Sequence, residues 1–274
     1  MIGLPESSPV LADSITKAGE SAAGRVVVTG SHGGIYAAYL ACKSKCRAVI
    51  FNDAGIGFDS AGIGGLAWLE PQGMAAAAID TASAEIGNAA QMLARGRISS
   101  VNNIAQKLGL KQGMPCAQAA ELLAVAPPPD DVCPVIREGR EVLNLHGATR
   151  RLILVDSASL VISSDRDQVV VTGSHGALFG GNPANALKVD ALLALFNDAG
   201  SKTGTTRLPA LNERGVAAVT VAANSARIGD ARSTWEDGII SALNTAAERL
   251  GAQIGTPARD FIHTVLTKPT PTGG

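Results

Sequence analysis

The chain has 274 residues, of which 46% are hydrophobic and 17% charged, enough apolar material for one large or two medium folded domains. A net charge of −1 and an aromatic content of 3% supply neither a basic field for phosphates nor stacking platforms for bases. We therefore expect no nucleic-acid partner, and the shortage of charge favours a homo-oligomer that buries part of its surface.

The sequence also lacks the signals of membrane insertion and secretion. No apolar run is long enough to cross a bilayer, and the first eight residues lack the basic start and apolar run of a signal peptide. Four cysteines are few for this length, which is typical of free thiols in a reducing compartment. We therefore expect a cytoplasmic protein with no membrane partner.

Short apolar runs alternate with longer alanine-rich segments in the first half of the chain. The short runs predict strands over residues 9–12, 25–29, 48–52 and 74–79. The longer segments predict helices over residues 34–44, 63–69, 88–94 and 99–108. This alternation predicts a mostly parallel sheet with helices on both faces, the three-layer α/β class.

A proline run at residues 127–129 cannot continue a helix and marks the end of the first domain. We predict a linker over residues 130–150, with a short charged hairpin or loop at residues 137–143. The C-terminal residues 267–274, rich in proline, threonine and glycine, are predicted to fray.

The motif Val-Val-Val-Thr-Gly-Ser-His-Gly occurs at residues 26–33 and again at residues 169–176. Three further segments recur in the same order: residues 10–14 match 153–157, residues 51–55 match 196–200, and residues 83–89 match 225–231. The spacing indicates a domain duplication and not a solenoid repeat. We expect two tandem α/β copies, residues 1–129 and 151–274, related by a pseudo-two-fold axis.

Each repeated polar motif directly follows an apolar strand. The carboxyl ends of parallel strands form the ligand-binding edge in open α/β sheets. The predicted edge of copy one contains Asp13, Ser14, Ser31, His32, Gly33, Asn52, Asp53, Thr81 and Ser83. The predicted edge of copy two contains Asp156, Ser157, Ser174, His175, Gly176, Asn197, Asp198 and Ser225. The sequence leaves open whether the two edges form one shared site or two.

Three residue types at these edges predict acid–base chemistry. The histidines titrate near neutral pH, the aspartates that end the next strand can orient them, and the serines are nucleophiles or hydrogen-bond donors. The predicted catalytic residues are Ser31, His32 and Asp53 in copy one, and Ser174, His175 and Asp198 in copy two. The remaining edge residues, apart from Thr81, are predicted to bind substrate.

The backbone amides of Gly30, Gly33 and Gly34 are predicted to form an oxyanion site before a helix. A tight strand-to-helix connection is the structural alternative for this glycine-rich turn. Ser83 and Ser225 are equally typical of helix capping or turn hydrogen bonds.

Copy two carries cations where copy one has small or acidic residues. Lys202 and Arg207 lie in a hydroxyl-rich loop, and Arg227 replaces Glu85. These cations are predicted to hold a substrate carboxylate, with a solvated basic loop as the alternative.

No cofactor is predicted, because the chain has no HExxH motif, no Cys-x-x-Cys pair and no Walker lysine. The sequence leaves open a divalent metal site between the strand-end histidines and aspartates. Cys42 and Cys46 are one helical turn apart and are interpreted as core thiols.

A strand that ends in Ser-His-Gly, followed by one that ends in Asp-Ala-Gly, is similar to the core of caspase-like cysteine peptidases. Gly55 and Gly200 stand at the nucleophile position, so the resemblance implies no cysteine peptidase activity. The duplicated α/β arrangement also resembles the aspartate/glutamate racemases, whose paired catalytic cysteines are absent here.

These residues favour a hydrolase that acts on an amide, ester or ring C–N bond of a small, polar, carboxylated metabolite. One alternative is an isomerase, racemase or lyase that uses the two histidines as opposed acid and base. The other is a two-lobed small-molecule-binding protein without catalysis.

Overall fold

The computed structural model describes residues 8–130, 132–178 and 182–267. The chain divides into two compact units, Met1–Arg137 and Glu138–Gly274. The second unit therefore starts inside the segment predicted as a linker. Of the predicted frayed tail, all but Thr267 lies outside the described residues.

The first unit is built on a five-stranded sheet whose strand order follows the chain. The strands are β1 (Val10–Ala12), β2 (Val26–His32), β3 (Ala48–Asn52), β4 (Ala75–Ile79) and β5 (Ile98–Val101). The first four are parallel, and β5 pairs antiparallel with β4. The helices are α1 (Ile35–Lys43), α2 (Gly64–Leu69), α3 (Ala89–Arg95), α4 (Asn103–Lys107) and α5 (Cys116–Leu123).

Both faces of this sheet are covered, which makes three layers. Right-handed crossovers that always advance in the same direction place their connections on one face. On that face Val49 and Phe51 pack with Leu66 of α2. On the other face Ile50 packs with Met92 of α3, in a cluster that also includes residues of α4 and α5.

The second unit has a six-stranded sheet that also follows chain order. Its strands are β6 (Arg140–Leu143), β7 (Leu152–Val155), β8 (Val169–His175), β9 (Leu193–Asn197), β10 (Ala217–Val221) and β11 (Ile240–Leu243). Strands β7 to β10 are parallel, and the two edge strands β6 and β11 are antiparallel to their neighbours. Its helices are α6 (Arg207–Glu213), α7 (Ala231–Glu236), α8 (Thr245–Leu250) and α9 (Ala258–Thr267).

These two mostly parallel sheets confirm the predicted α/β class. The strand order never reverses in either sheet, so neither contains the switch-point crevice that binds ligands in doubly wound folds. Any site at these strand ends must be formed by the loops themselves.

Three local predictions differ from the structure. The helix predicted over residues 99–108 is wrong in its first part, because residues 98–101 form β5 and Ser100 pairs with Ala78 of β4. Helix α5 was not predicted. Residues 140–143, predicted as part of a hairpin or loop, form β6 against β7.

The two units also differ in their crossover after the repeated motif. Helix α1 follows β2 in the first unit, whereas the described residues between β8 and β9 contain only a 3₁₀ turn at Pro183–Asn185. No helix in the described parts of the chain is long and apolar enough to span a membrane.

Candidate functional site

His32 ends β2 and pairs with Asn52 of β3. Its Nδ1 atom accepts a hydrogen bond from the Gly34 backbone N–H at 3.1 Å. A ring nitrogen that accepts is unprotonated, so the neutral ring carries its proton on Nε2. Burial lowers the pKa of His32 to about 4, so the ring is neutral at pH 7. Nε2 has no hydrogen-bond partner among the described residues and is therefore available as a donor.

His175 is held in the same way in the second unit. Its Nδ1 atom accepts the Ala177 backbone N–H at 3.2 Å, and the residue pairs with Asn197 of β9. The repeated motif therefore gives the same imidazole orientation at both strand ends.

The serines beside these histidines are engaged elsewhere. Ser31 Oγ accepts the Ile15 backbone N–H at 3.0 Å, and Ser174 Oγ accepts the Ala158 N–H at 2.9 Å. Each hydroxyl ties the end of its strand to the 3₁₀ turn that follows the preceding strand. Ser31 makes no hydrogen bond to His32, since consecutive strand residues face opposite sides. The predicted nucleophile–base contact is absent from this pair.

Asp53 connects two loops at the strand ends. Its Oδ1 atom accepts the backbone N–H groups of Gly55 at 2.9 Å and Thr81 at 3.0 Å. Burial raises the pKa of the Asp53 carboxyl, although these two hydrogen bonds and an interaction with the Ser99 hydroxyl oppose that shift. The carboxylate is not hydrogen-bonded to the His32 ring, so the expected orienting contact is also missing.

Asp198 has the same role in the second unit. Its Oδ1 atom accepts the N–H groups of Gly200 and Ala223, both at 2.9 Å. The position of Ala223 therefore corresponds to that of Thr81.

The predicted substrate-binding asparagines use their side chains for hydrogen bonds within the protein. Asn52 is fully buried; its Nδ2 donates to the Ala84 carbonyl at 3.2 Å and its Oδ1 accepts the Ala54 N–H at 2.9 Å. Asn197 makes the corresponding two bonds in the second unit.

Ser83 and Ser225 hold turns. Ser83 Oγ donates to the Asp80 carbonyl at 2.7 Å and accepts the Arg97 N–H at 2.9 Å. Ser225 makes the same pair of bonds, with the Ala222 carbonyl and the Ile239 N–H. Turn hydrogen bonds, the structural alternative for these serines, therefore use both the donor and the acceptor of each hydroxyl.

The aspartates that follow β1 and β7 bind the amino end of a helix. Asp13 Oδ1 accepts the Ala89 N–H at 2.9 Å, and Asp156 Oδ1 accepts the Ala231 N–H at 3.1 Å. Asp156 Oδ2 also accepts the Gly139 N–H at 2.6 Å. Burial raises the pKa of Asp156. The neighbouring Ser14 and Ser157 hydroxyls contact Thr16 and Ser159, two residues further on.

The glycine amides do not form the predicted oxyanion site. Gly33 N–H donates to the Asn52 carbonyl at 3.0 Å, and Gly34 N–H donates to His32. Gly176 N–H likewise donates to the Asn197 carbonyl at 2.8 Å. The glycines are required for close packing, because a Cβ on Gly30 would lie 2.6 Å from a backbone oxygen.

Arg207 is a buried structural cation. Its guanidinium donates to the Ala177 carbonyl at 3.1 Å and the Ala186 carbonyl at 2.7 Å, and it lies over the Phe196 ring. Burial lowers the pKa of Arg207 to about 10, so it stays charged at pH 7. Gly65 takes the same place in the first unit, where a Cβ would lie 2.6 Å from Ala38 of α1.

The other two predicted cations differ from each other. Arg227 pairs with Asp230 at 3.3 Å and Asp237 at 3.8 Å. Lys202 is exposed. Of the three cations, Lys202 alone fits the alternative of a solvated basic loop.

Two asparagines escaped the sequence-based selection of site residues. Asn102 and Asn244 each make four buried hydrogen bonds, although only their repetition was visible in the sequence. Thr81 is buried, and its Oγ1 atom has no hydrogen-bond partner among the residues that the structure describes. The sequence places Thr81 at the predicted edge but does not show that its hydroxyl lacks a partner.

Within the described residues, no three His, Cys, Asp or Glu side chains are grouped so that they could hold a metal ion. At the strand ends of the first unit, His32 ends β2, Asp53 follows β3 and Thr81 follows β4, and Asp53 is hydrogen-bonded to the Thr81 backbone. Comparisons with protein-family models, curated proteins and solved structures find no match to this chain.

Proposed function

We propose that the strand-end edge of the first unit binds a small polar molecule through the Nε2–H group of His32. The observation that carries this proposal is the Gly34 N–H bond to Nδ1, which leaves the proton on Nε2. A neutral imidazole in this tautomer donates to a carbonyl or carboxylate oxygen. Its low pKa keeps it a donor, rather than a cation, throughout the neutral range.

The other strand-end groups support binding better than covalent catalysis. The Ser31 hydroxyl accepts a backbone N–H and is not activated by a base. The Gly33 and Gly34 amides are used inside the protein and do not converge on a free position.

Hydrolysis of a small amide, ester or ring C–N bond is the second candidate, favoured by the protonation properties of His32 and Asp53. A neutral imidazole that donates from Nε2 can polarise a carbonyl without prior proton loss. A carboxyl whose pKa is raised by burial is suited to exchange a proton with an attacking water.

We propose in addition that the two units arose by duplication. The repeated motifs, the common strand order and the matching bonds of Asp53 and Asp198 support this origin. We also propose, from the composition alone, that the protein is cytoplasmic and associates with itself.

The binding proposal is tested with the variant His32→Asn. Asparagine can keep an acceptor for the Gly34 N–H but lacks the Nε2 donor. We expect small carboxylates or amides to raise the Tm of the wild-type protein and not that of His32→Asn. His263→Asn, at an exposed position of α9, is the matched control and should respond like the wild type.

An equal response of His32→Asn and wild type would contradict the proposal, as would the lack of any response in the wild type. The ligands that raise the Tm are then incubated with wild-type protein in D₂O and followed by ¹H NMR. Cleavage would establish hydrolysis, deuterium at a substrate carbon would indicate an isomerase or lyase, and an unchanged ligand would leave binding alone.

A further inference from the structure

Thr81 carries a polar group that the fold does not use. The residue is 7% exposed, and within the described parts of the chain its Oγ1 atom has no hydrogen-bond partner. A buried hydroxyl without a partner loses its hydration and gains nothing in exchange, and native proteins contain few such groups. This hydroxyl therefore requires an explanation.

The second unit shows that the fold requires the backbone of this residue and not its side chain. Thr81 N–H donates to Asp53 at 3.0 Å, and Ala223 N–H makes the equivalent bond to Asp198 at 2.9 Å. Alanine therefore satisfies the structural role at this position. The threonine hydroxyl is an addition specific to the first unit.

Asp53, whose Oδ1 accepts that N–H, lacks a counter-charge. It is 3% exposed, and among the described residues no lysine, arginine or histidine forms an ion pair with it. Both of its backbone hydrogen bonds reach the same oxygen, Oδ1, and the Ser99 hydroxyl, which also interacts with the carboxyl, is uncharged. Buried carboxylates are normally paired with a cation. The corresponding Asp198 of the second unit has less need of one, because it is partly exposed to water.

We propose that Asp53 and Thr81 form the subsite for a primary ammonium group of the ligand, while His32 Nε2–H binds its carbonyl or carboxylate oxygen. This inference rests on the proposed function and names its ligand class: α-amino acids and their amides. An ammonium group has three donors, which suit a carboxylate oxygen and a hydroxyl oxygen together. Neighbouring strands lie about 4.8 Å apart, so β2 and β4 are about 10 Å apart, a span that an amino acid with a hydrogen bond of about 3 Å at each end can cover.

The test compares the twenty L-amino acids and their amides with L-lactate and L-malate, in which a hydroxyl replaces the ammonium group. At millimolar concentration, at least one amino acid or amide is expected to raise the wild-type Tm. The hydroxy acids are expected to leave it unchanged.

Thr81→Val tests the hydroxyl itself, because valine keeps the side-chain shape. Since no hydrogen bond is lost, the unligated variant should melt above wild type by about 2–4 °C. The same variant should bind the amino acid at least about tenfold more weakly. Thr220→Val is the matched control: Thr220 Oγ1 is 3.0 Å from Ser241 Oγ, so this variant should melt earlier and keep the ligand response.

A Thr81→Val protein that melts at or below the wild-type Tm would show that the hydroxyl has a structural partner and would overturn the proposal. Wild-type affinity in Thr81→Val would do the same. If only the hydroxy acids raise the Tm, and His32→Asn removes that response, the ammonium subsite is wrong and the proposed function stands. If nothing in either set raises the Tm, both fail.

Discussion

The His32 Nδ1 atom lies 3.1 Å from the Gly34 amide nitrogen and accepts its hydrogen, although the surrounding motif offers serine and aspartate side chains as alternatives. This local bond determines the tautomer of the ring. It also turns the residue predicted to be a general base into a neutral hydrogen-bond donor.

Desolvation of the His32 ring makes stability depend on pH. The pKa of His32 is about 4 in the folded protein against 6.5 for the model group, so the unfolded chain binds more protons between these values. Stability is therefore unaffected by this group above about pH 6.5 and falls as the pH drops toward 4, by at most about 3 kcal/mol. Urea unfolding at pH 4.5 and 7 measures this loss. It should be smaller in His32→Asn, and equal losses in both proteins would contradict burial of a neutral ring.

Asn102 is expected to be one of the most sensitive positions for stability. Its Oδ1 accepts the N–H groups of Ala76 and Ala105, and its Nδ2 donates to the carbonyls of Leu66 and Met74. Asn102→Ala leaves these four backbone groups without their partner, and we expect a loss of about 3–5 kcal/mol.

Asn103→Ala is the control for that variant. Asn103 is exposed and contacts Glu70, so its removal should cost less than about 1 kcal/mol in the same denaturation experiment. Similar losses for the two neighbours would contradict the structural role of Asn102. Asn244 makes the same four bonds in the second unit and should behave like Asn102.

Gly30 is required for the packing of β2 against the loop before α3. A Cβ there would lie 2.6 Å from the Asp13 carbonyl oxygen and 2.7 Å from Gly87 Cα, both backbone atoms. Gly30→Ala should therefore lower the free energy of unfolding by about 3 kcal/mol. Gly113→Ala, with nothing within 4 Å but a φ of +82°, should cost about 1 kcal/mol. Thermal unfolding of both variants tests this order, which a larger loss in Gly113→Ala would reverse.

Arg207 is predicted to stabilise the second unit and not to bind substrate. Arg207→Met leaves the Ala177 and Ala186 carbonyls without these donors, and we expect a loss of about 2–4 kcal/mol. Lys202→Met, at an exposed position, should leave the Tm unchanged. If Arg207→Met kept the wild-type Tm and weakened only carboxylate binding, the original interpretation as a substrate-binding cation would be right.

The sheet was predictable because buried parallel strands are continuous apolar runs. The predicted strand over residues 48–52 coincides with β3, and β4 differs from its prediction by one residue. Strand β2 continues past its predicted end at Thr29, because Gly30, Ser31 and His32 are small or polar residues that a hydrophobic pattern does not include. The apolar residues over 99–108 recur with a helical period and predict a helix. Residues 98–101 form a strand instead, because they pair with β4.

The candidate site was predictable only in its position. Repetition identified polar residues that the chain retains, but their partners are mostly backbone atoms, which have no sequence signature. Asn52 and Ser83 therefore look like binding residues in the sequence and are structural in the fold. The missing partner of the Thr81 hydroxyl could be found only from coordinates, because it depends on which donors and acceptors lie within hydrogen-bond distance.

The protonation state of His32 can be observed by long-range ¹H–¹⁵N NMR of the labelled protein at pH 7, assigned with His32→Asn. We predict a neutral ring with its proton on Nε2, which does not titrate above about pH 5. An imidazolium at pH 7, or a proton on Nδ1, would contradict the donor role on which ligand binding depends.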